Sequence, residues 1–380
     1  MRRLTLSMVL LALALPACAA GPVTVQDLEK AAARAHDGPD GSMARELSEL
    51  HLTERLSTAR LMRMKAALPG EKSRQALLAL ADASVFLALP SGEIPAKDAP
   101  DNAAQDLIVA HAVGYLTKTI HMLPDLLATQ QKVQFSDGPM RTSRLTGKSS
   151  WEAKFHTVSA SSAPVRFIAD RGDVENENTA ASGSAPAFDR LTVEGTFGPM
   201  FGGVLKDALA NHPAWSHWEP GTGAPVAVFH YSVAQEKSHF VLQYSTTFGV
   251  QSHVTAYSGE IALDPDTGEI LRVTLLAAPE SKDPIVEADV MVEYGPVEIG
   301  GKVYICPVRS VALSRSVDNN IMDGAFGATS STQGLPLKVE LNDVAYTQYH
   351  LFRTQLRVLA PDSEPSAEPP PAQPPQSPNR

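Results

Sequence analysis

The chain has 380 residues, 43% of them hydrophobic and 19% charged, so it can bury a sizeable core. Its formal net charge is −10 and no long basic run follows Arg3, which excludes a nucleic-acid backbone as partner, because that needs clustered Lys and Arg. With only Cys18 and Cys306, a disulfide framework is excluded as well once Cys18 is cleaved away or lipidated.

The N-terminus reads as an export signal: Arg2 and Arg3, then the apolar stretch Leu4 to Leu15, then the small-residue region "PACAAG". The apolar run is too short for a bilayer of ~30 Å, which needs about 20 residues, so no transmembrane span remains after cleavage. Two processing routes are open. Ala17 and Ala19 fit ordinary cleavage before Ala20, whereas "LPAC" resembles a lipobox that would leave a lipidated Cys18. The mature chain is therefore expected to be periplasmic or secreted, or anchored to the membrane as a lipoprotein. Cys306 lies in the strand-like stretch "VYICPVRSV", which suits a buried small hydrophobe.

Residues 1–19 are thus read as signal, 20–130 as a helical region, 131–358 as an antiparallel half-barrel domain and 359–380 as a disordered Pro-rich tail. "TVQDLEKAAARA", "MARELSELH" and "ERLSTARLMRMKAAL" carry helical patterns, the last with a cap at Thr53 and an apolar stripe of Leu56, Leu61, Met62, Met64 and Leu68. "EKSRQALLALADASVFLAL" is a further helix stopped by Pro90. A proline-spaced link leads to "NAAQDLIVAHAVGYLTKTIHML", whose buried side is marked by Val109, Val113, Leu116, Ile120 and Leu123.

From about residue 130 the apolar period becomes two. "VFHYSV" sets Phe229, Tyr231 and Val233 against Val228 and His230, and "HFVLQYSTTF" sets Phe240, Leu242 and Tyr244 on one side. "PIVEADVMVEY" predicts a half-buried strand, with Val286, Ala288, Val290, Val292 and Tyr294 inward and Glu287, Asp289 and Glu293 outward. "GPMFGGVLKDALANH" is the one helix expected among these strands. The acidic "DPDTG" around Asp264, Asp266 and Gly268 has the look of a calcium loop. It lacks the 12-residue length and flanking helices of one, and it separates Ile261 and Leu263 from the alternating Leu271, Val273 and Leu275, so it reads as a hairpin turn. The last 20 residues hold 8 of the 29 prolines and no large apolar side chain, the composition of an extended disordered end.

No zinc helix, nucleophile elbow, phosphate loop or C-x-x-C motif occurs, and Gly195, Gly198, Gly202 and Gly203 do not match a dinucleotide fingerprint. His212 and His217 flank Trp215 and Trp218, but their five-residue spacing is not that of two ligands on a helix face. The expectation is a protein with no enzymatic activity, no metal and no cofactor.

The stretches "LADASVFL", "LPDLLATQQ", "WSHWEPGTG", "YSGEIALDPDTGEILRV" and "VEYGPVEIGGKVYICPVRSV" resemble a group of secreted bacterial proteins of unassigned activity. The meander around "DPDTGEI" is also similar to the lipoprotein-localisation (Lol) carrier superfamily. That resemblance implies a curved, half-open barrel-like sheet with helices over its concave face, and an acyl chain or lipoprotein as ligand. The expected fold class is then α+β, and the ligand-lining candidates are Phe229, Tyr231, Phe240, Tyr244, Trp215 and Trp218. The alternative is an envelope scaffold with a packed interior that contacts a protein partner.

Overall fold

The computed structural model describes residues 22–34, 38–122, 124–137, 155–168, 173–176, 199–246, 249–280, 283–317 and 337–351. The signal region with Cys18 and the Pro-rich tail lie outside them. Four helices come first, α1 (Val25–Arg34), α2 (Asp40–Ser48), α3 (Thr58–Ala67) and α4 (Glu71–Ala83), with a short parallel pair, β1 (Pro22–Val23) and β2 (His51–Leu52). α5 (Asn102–Met122) leads into β3 (Leu126–Ser136), β4 (His156–Ile168) and β5 (Asp173–Asn176). α6 (Pro199–Ala210) precedes β6 (Ala214–Glu219), β7 (Val226–Val233), β8 (Val241–Thr246) and β9 (Gly249–Val254). Five strands follow: β10 (Ala256–Leu263), β11 (Ile270–Ala278), β12 (Ile285–Ile299), β13 (Lys302–Val317) and β14 (Leu337–Leu351).

Ten of these strands form one antiparallel sheet in the order β5-β4-β3-β14-β13-β12-β11-β10-β7-β6, while β8 and β9 pair only with each other. The sheet is open, with β5 and β6 at its edges. The chain is therefore α+β with a large antiparallel sheet, and its first long strand starts at Leu126, ahead of the expected boundary at 131.

Both faces of the sheet are covered. On the first face, Phe229, Tyr231 and Val233 of β7 join Ile261 and Leu263 of β10, Val273 and Leu275 of β11, and Val290 and Val292 of β12. α5 and α6 pack onto this face through Ile108, Ala112 and Leu116 and through Val204, Leu205 and Ala208. On the second face, Val85 just after α4 meets Met291 and Val311, and Ala79 of α4 meets Phe135, Leu313 and Leu341. The outer side of β12 was expected to be wet; this helical cover instead buries Met291, and Asp289 on the same side is buried as well. α1, α2 and α3 share a separate apolar cluster with α4.

Between α4 and α5 the chain passes round the β6 edge of the sheet. The Trp218 indole N–H donates to the Asp98 carbonyl at 2.8 Å, and the Lys97 ammonium lies 3.6 Å from the centre of the same ring. This strap is how one chain covers both faces.

Three failures of simple alternation share one cause, an extra residue in one strand of a pair. Ile285 is opposite Ser316 and Glu287 is opposite Arg315, so Val286 is unpaired and exposed while Ile285 takes the core position. Ala262 faces Arg272 and Leu263 faces Ile270, so Leu271 is the extra residue and turns to the second face, where Val226, Val228 and Ala262 lie. Trp215 faces Phe229 and His217 faces Val228, which makes Ser216 the third.

The helical expectations also need correction. Thr53 is not a cap: the N–H groups of Thr53, Arg55 and Leu56 bond to the Val23 carbonyl, the Ala88 carbonyl and the Ser84 hydroxyl, so the helix starts only at Thr58. Met62 is consequently 62% exposed, while Leu61, Met64 and Leu68 are buried. In α5 the buried line is Ile108, Ala112 and Leu116; of the expected residues Leu116 is buried and Val109 packs half-buried against the core, while Val113 is 44% exposed. The side chains of Ile120 and Leu123 lie outside the described residues. Ala112 is buried because the β10–β11 turn sits against the helix backbone there.

That turn is the acidic "DPDTG" and it is a hairpin turn. The Asp264 carboxylate accepts the N–H groups of Asp266 (3.0 Å) and Thr267 (2.8 Å), and its carbonyl accepts the Gly268 N–H at 2.9 Å. Gly268 has φ +76°, and a Cβ there would lie 2.4 Å from the His111 carbonyl carbon. Gly268→Ala should cost at least about 1–2 kcal/mol from the left-handed backbone alone, with the clash against α5 adding to it. A lowered urea midpoint at unchanged slope checks this.

Candidate functional site

The six aromatic candidates do not converge on one site. Five belong to the core of the first face: Phe229 and Tyr231 are each 1% exposed, Trp218 and Phe240 are buried, and Trp215 is half-buried against them. Trp215 meets Trp218 edge-on at 4.9 Å and Phe229 at 5.6 Å, so the tryptophans close the β6 end of this core. Tyr244 lies elsewhere. β8 is not a neighbour of β7 in the sheet, and Tyr244 packs beside Leu242, Ile285 and Ala288 with its hydroxyl donating to Asp283 at 3.0 Å.

Polar groups in this core are satisfied from within the chain. Gly259 lies opposite Tyr231 and has no side chain, so the Tyr231 hydroxyl crosses β10 and donates to the Thr274 carbonyl at 2.6 Å. The Tyr257 hydroxyl donates to Asp207 of α6 at 2.8 Å. The same carboxylate accepts the His239 backbone N–H at 2.9 Å and contacts the His239 ring Nδ1 at 2.6 Å. α6 is thus pinned to the sheet at a buried carboxylate.

The second face carries a feature absent from the expected site residues. The extra residue Ser216 changes the parity of β6, so Trp215 and Trp218, three apart, share the first face while His217 and Glu219 share the second. Glu219 is buried and receives the guanidinium groups of Arg55 at 2.5 Å and Arg272 at 2.5 and 2.9 Å. His217 Nε2 lies 3.1 Å from the same carboxylate, and Ser216 Oγ lies 2.9 Å from His217 Nδ1. Burial alone would raise the Glu219 carboxyl. The hydrogen bonds of His217 and Arg272 and the charges of Arg272 and Arg55 outweigh burial and hold it well below the usual carboxylate range.

This cluster begins a row of charges running across the sheet under the helical layer. Arg272 is paired in register with Glu293, and Glu293 with Arg309. Glu293 accepts the Thr58 hydroxyl at 3.1 Å, and Arg309 bonds Asp343 at 2.8 Å and the buried Asp82 of α4. Burial and the charge of Asp343 push the Asp82 carboxyl well up, against the pull of Arg309. Arg55, Thr58 and Asp82 are polar points at which the helical layer docks on the sheet, and Gln75 of α4 is another, accepting the Thr157 hydroxyl of β4 at 2.9 Å. Also on this face, a cavity of about 260 Å³ lies between α2, α4 and the strands β3 and β4, lined by Arg45, Lys72, His156, Phe135 and Phe155. None of the six aromatic candidates lines it.

Asp289 gives a pH dependence. Burial, then the neighbouring Glu287, pushes its carboxyl up to about 7, with Arg315 opposing. The folded state therefore holds this proton more tightly than the unfolded state. Its contribution to stability is complete below about pH 4 and is lost as pH rises through about 7. Melting curves of Asp289→Asn should show a smaller fall in stability between pH 5 and 8 than the parent.

The cysteine reading fits the geometry: Cys306 is buried and free, and burial pushes its thiol up to about 12. Among the described residues, no group of three or more His, Cys, Asp and Glu is placed to hold a metal, and no helix is long and apolar enough to cross a membrane. No family model, curated protein or solved structure matches the chain.

Proposed function

We propose that this is an exported envelope protein whose sheet is a packed scaffold carrying interaction surfaces for a protein partner. The observation that supports this most is the packing of the first face. Phe229 and Tyr231 are each 1% exposed, and α5 and α6 occupy the ground an acyl chain would need. Export rests on the signal pattern of the first 19 residues.

A carrier for an acyl chain or lipoprotein in a half-open barrel is the competing reading, and one observation favours it. The described polar contacts of α6 with the sheet gather at Asp207, so the apolar row of Val204, Leu205 and Ala208 is a surface that an acyl chain of similar character could replace. Melting with and without a fluorescent fatty acid separates the two. The scaffold reading predicts no shift. A carrier would gain about 2.7 kcal/mol at a hundredfold excess over the dissociation constant.

A further inference from the structure

We propose that Ser216, His217 and Glu219 form a nucleophile–base–carboxylate relay on the outer face of β6 that takes an acyl group from activated esters. The inference goes beyond the scaffold reading and stands or falls apart from it.

The protonation pattern follows from the contacts. Glu219 is ionised between two guanidinium groups and can only accept, so the facing His217 Nε2, 3.1 Å away, carries the hydrogen. In the neutral ring the other nitrogen, Nδ1, is then a lone-pair acceptor. Ser216 Oγ lies 2.9 Å from it and donates its proton there. The competing acceptor, Glu260 Oε1, is 3.5 Å from Ser216 Oγ, beyond the usual 2.5–3.0 Å range of an O–H···O bond. Ser216 is exposed and His217 half-buried, so the nucleophile faces solvent while the carboxylate does not. The residues are adjacent in sequence, and the extra residue in β6 is what brings serine and histidine to one side.

In the acyl step the Ser216 Oγ–carbon bond forms as the Oγ proton passes to His217 Nδ1. The tetrahedral adduct then collapses, the bond from carbon to the leaving oxygen breaks, and the alcohol departs with the proton from His217. Water attacks the acyl-serine with His217 as base, releasing the carboxylic acid and restoring Ser216. Glu219 is a positioning residue: it fixes the ring tautomer and offsets the charge of the imidazolium. General-base assistance contributes about 10²–10⁴-fold. That is too little for amides, and the substrate class is esters with good leaving groups, such as aryl esters.

The test uses the full chain with a fluorophosphonate probe and 4-nitrophenyl acetate. The relay predicts one phosphonyl adduct on Ser216, none in Ser216→Ala, and at least tenfold slower labelling in His217→Gln, whose amide N–H is retained towards Glu219. Both variants should melt like the parent, which separates lost chemistry from lost fold. Equal labelling in parent and Ser216→Ala, or a His217→Gln labelling rate matching the parent, overturns the proposal.

Discussion

Glu219→Ala should cost about 3–5 kcal/mol, seen as a lower urea midpoint with unchanged slope. The carboxylate is buried between Arg55 and Arg272, and its removal leaves two guanidinium groups facing each other in the same low-dielectric crevice. Among the described residues, Arg272 keeps only the longer ion pair to Glu260 at 3.5 Å. Arg55 holds the loop before α3 to β6, so the loss should loosen the docking of the helical layer on the second face. Hydrogen exchange should then speed first around residues 53–57. Because the folded carboxyl is held well below its ordinary value, this contribution is present at neutral pH and is lost only in strong acid. The dependence is opposite in sign to that of Asp289.

Phe229→Ala should cost about 3–5 kcal/mol, and the size of the loss bears on the interior. In a packed core the loss is the transfer energy of the ring plus that of the void left behind. In an open acyl-chain cavity the ring already faces empty space, the void term vanishes, and the cost falls towards 2 kcal/mol or less. Phe229 lies opposite Ile261, with Trp215 edge-on to its ring, and both would line the void. A packed interior further predicts that the variant, unlike the parent, is stabilised by a small apolar molecule such as benzene.

Much of the fold is legible where local pattern and tertiary structure agree. The face of β7 follows directly from the alternation of Phe229, Tyr231 and Val233 with His230, and the β10–β11 turn follows from Pro265 and Gly268 between two alternating runs. The failures occur where one residue is added to a strand or where a backbone N–H finds a distant acceptor. Val286 and Leu271 look like core positions until the register is known. Arg55 and Leu56 look helical until their N–H groups are seen to bond to Ala88 and Ser84.

The charge row is the hardest to read from sequence. Its pairs join residues 164 positions apart in Arg55–Glu219 and 227 apart in Arg309–Asp82, and no periodicity carries such information. One local signal was present. In "WSHWE" two tryptophans stand three apart within a strand, which strict alternation cannot place on one face, and only an extra residue between them reconciles the two. That same residue is Ser216.

The protein's own helices fill the apolar face of the sheet. Native mass spectrometry of the chain purified from the envelope fraction of its own host tests it most directly. The packed scaffold predicts the bare mass of the processed chain, carrying at most a lipid attached at Cys18 and no non-covalent lipid. A stoichiometric acyl-chain adduct that survives mild desolvation and dissociates at higher collision energy would contradict it.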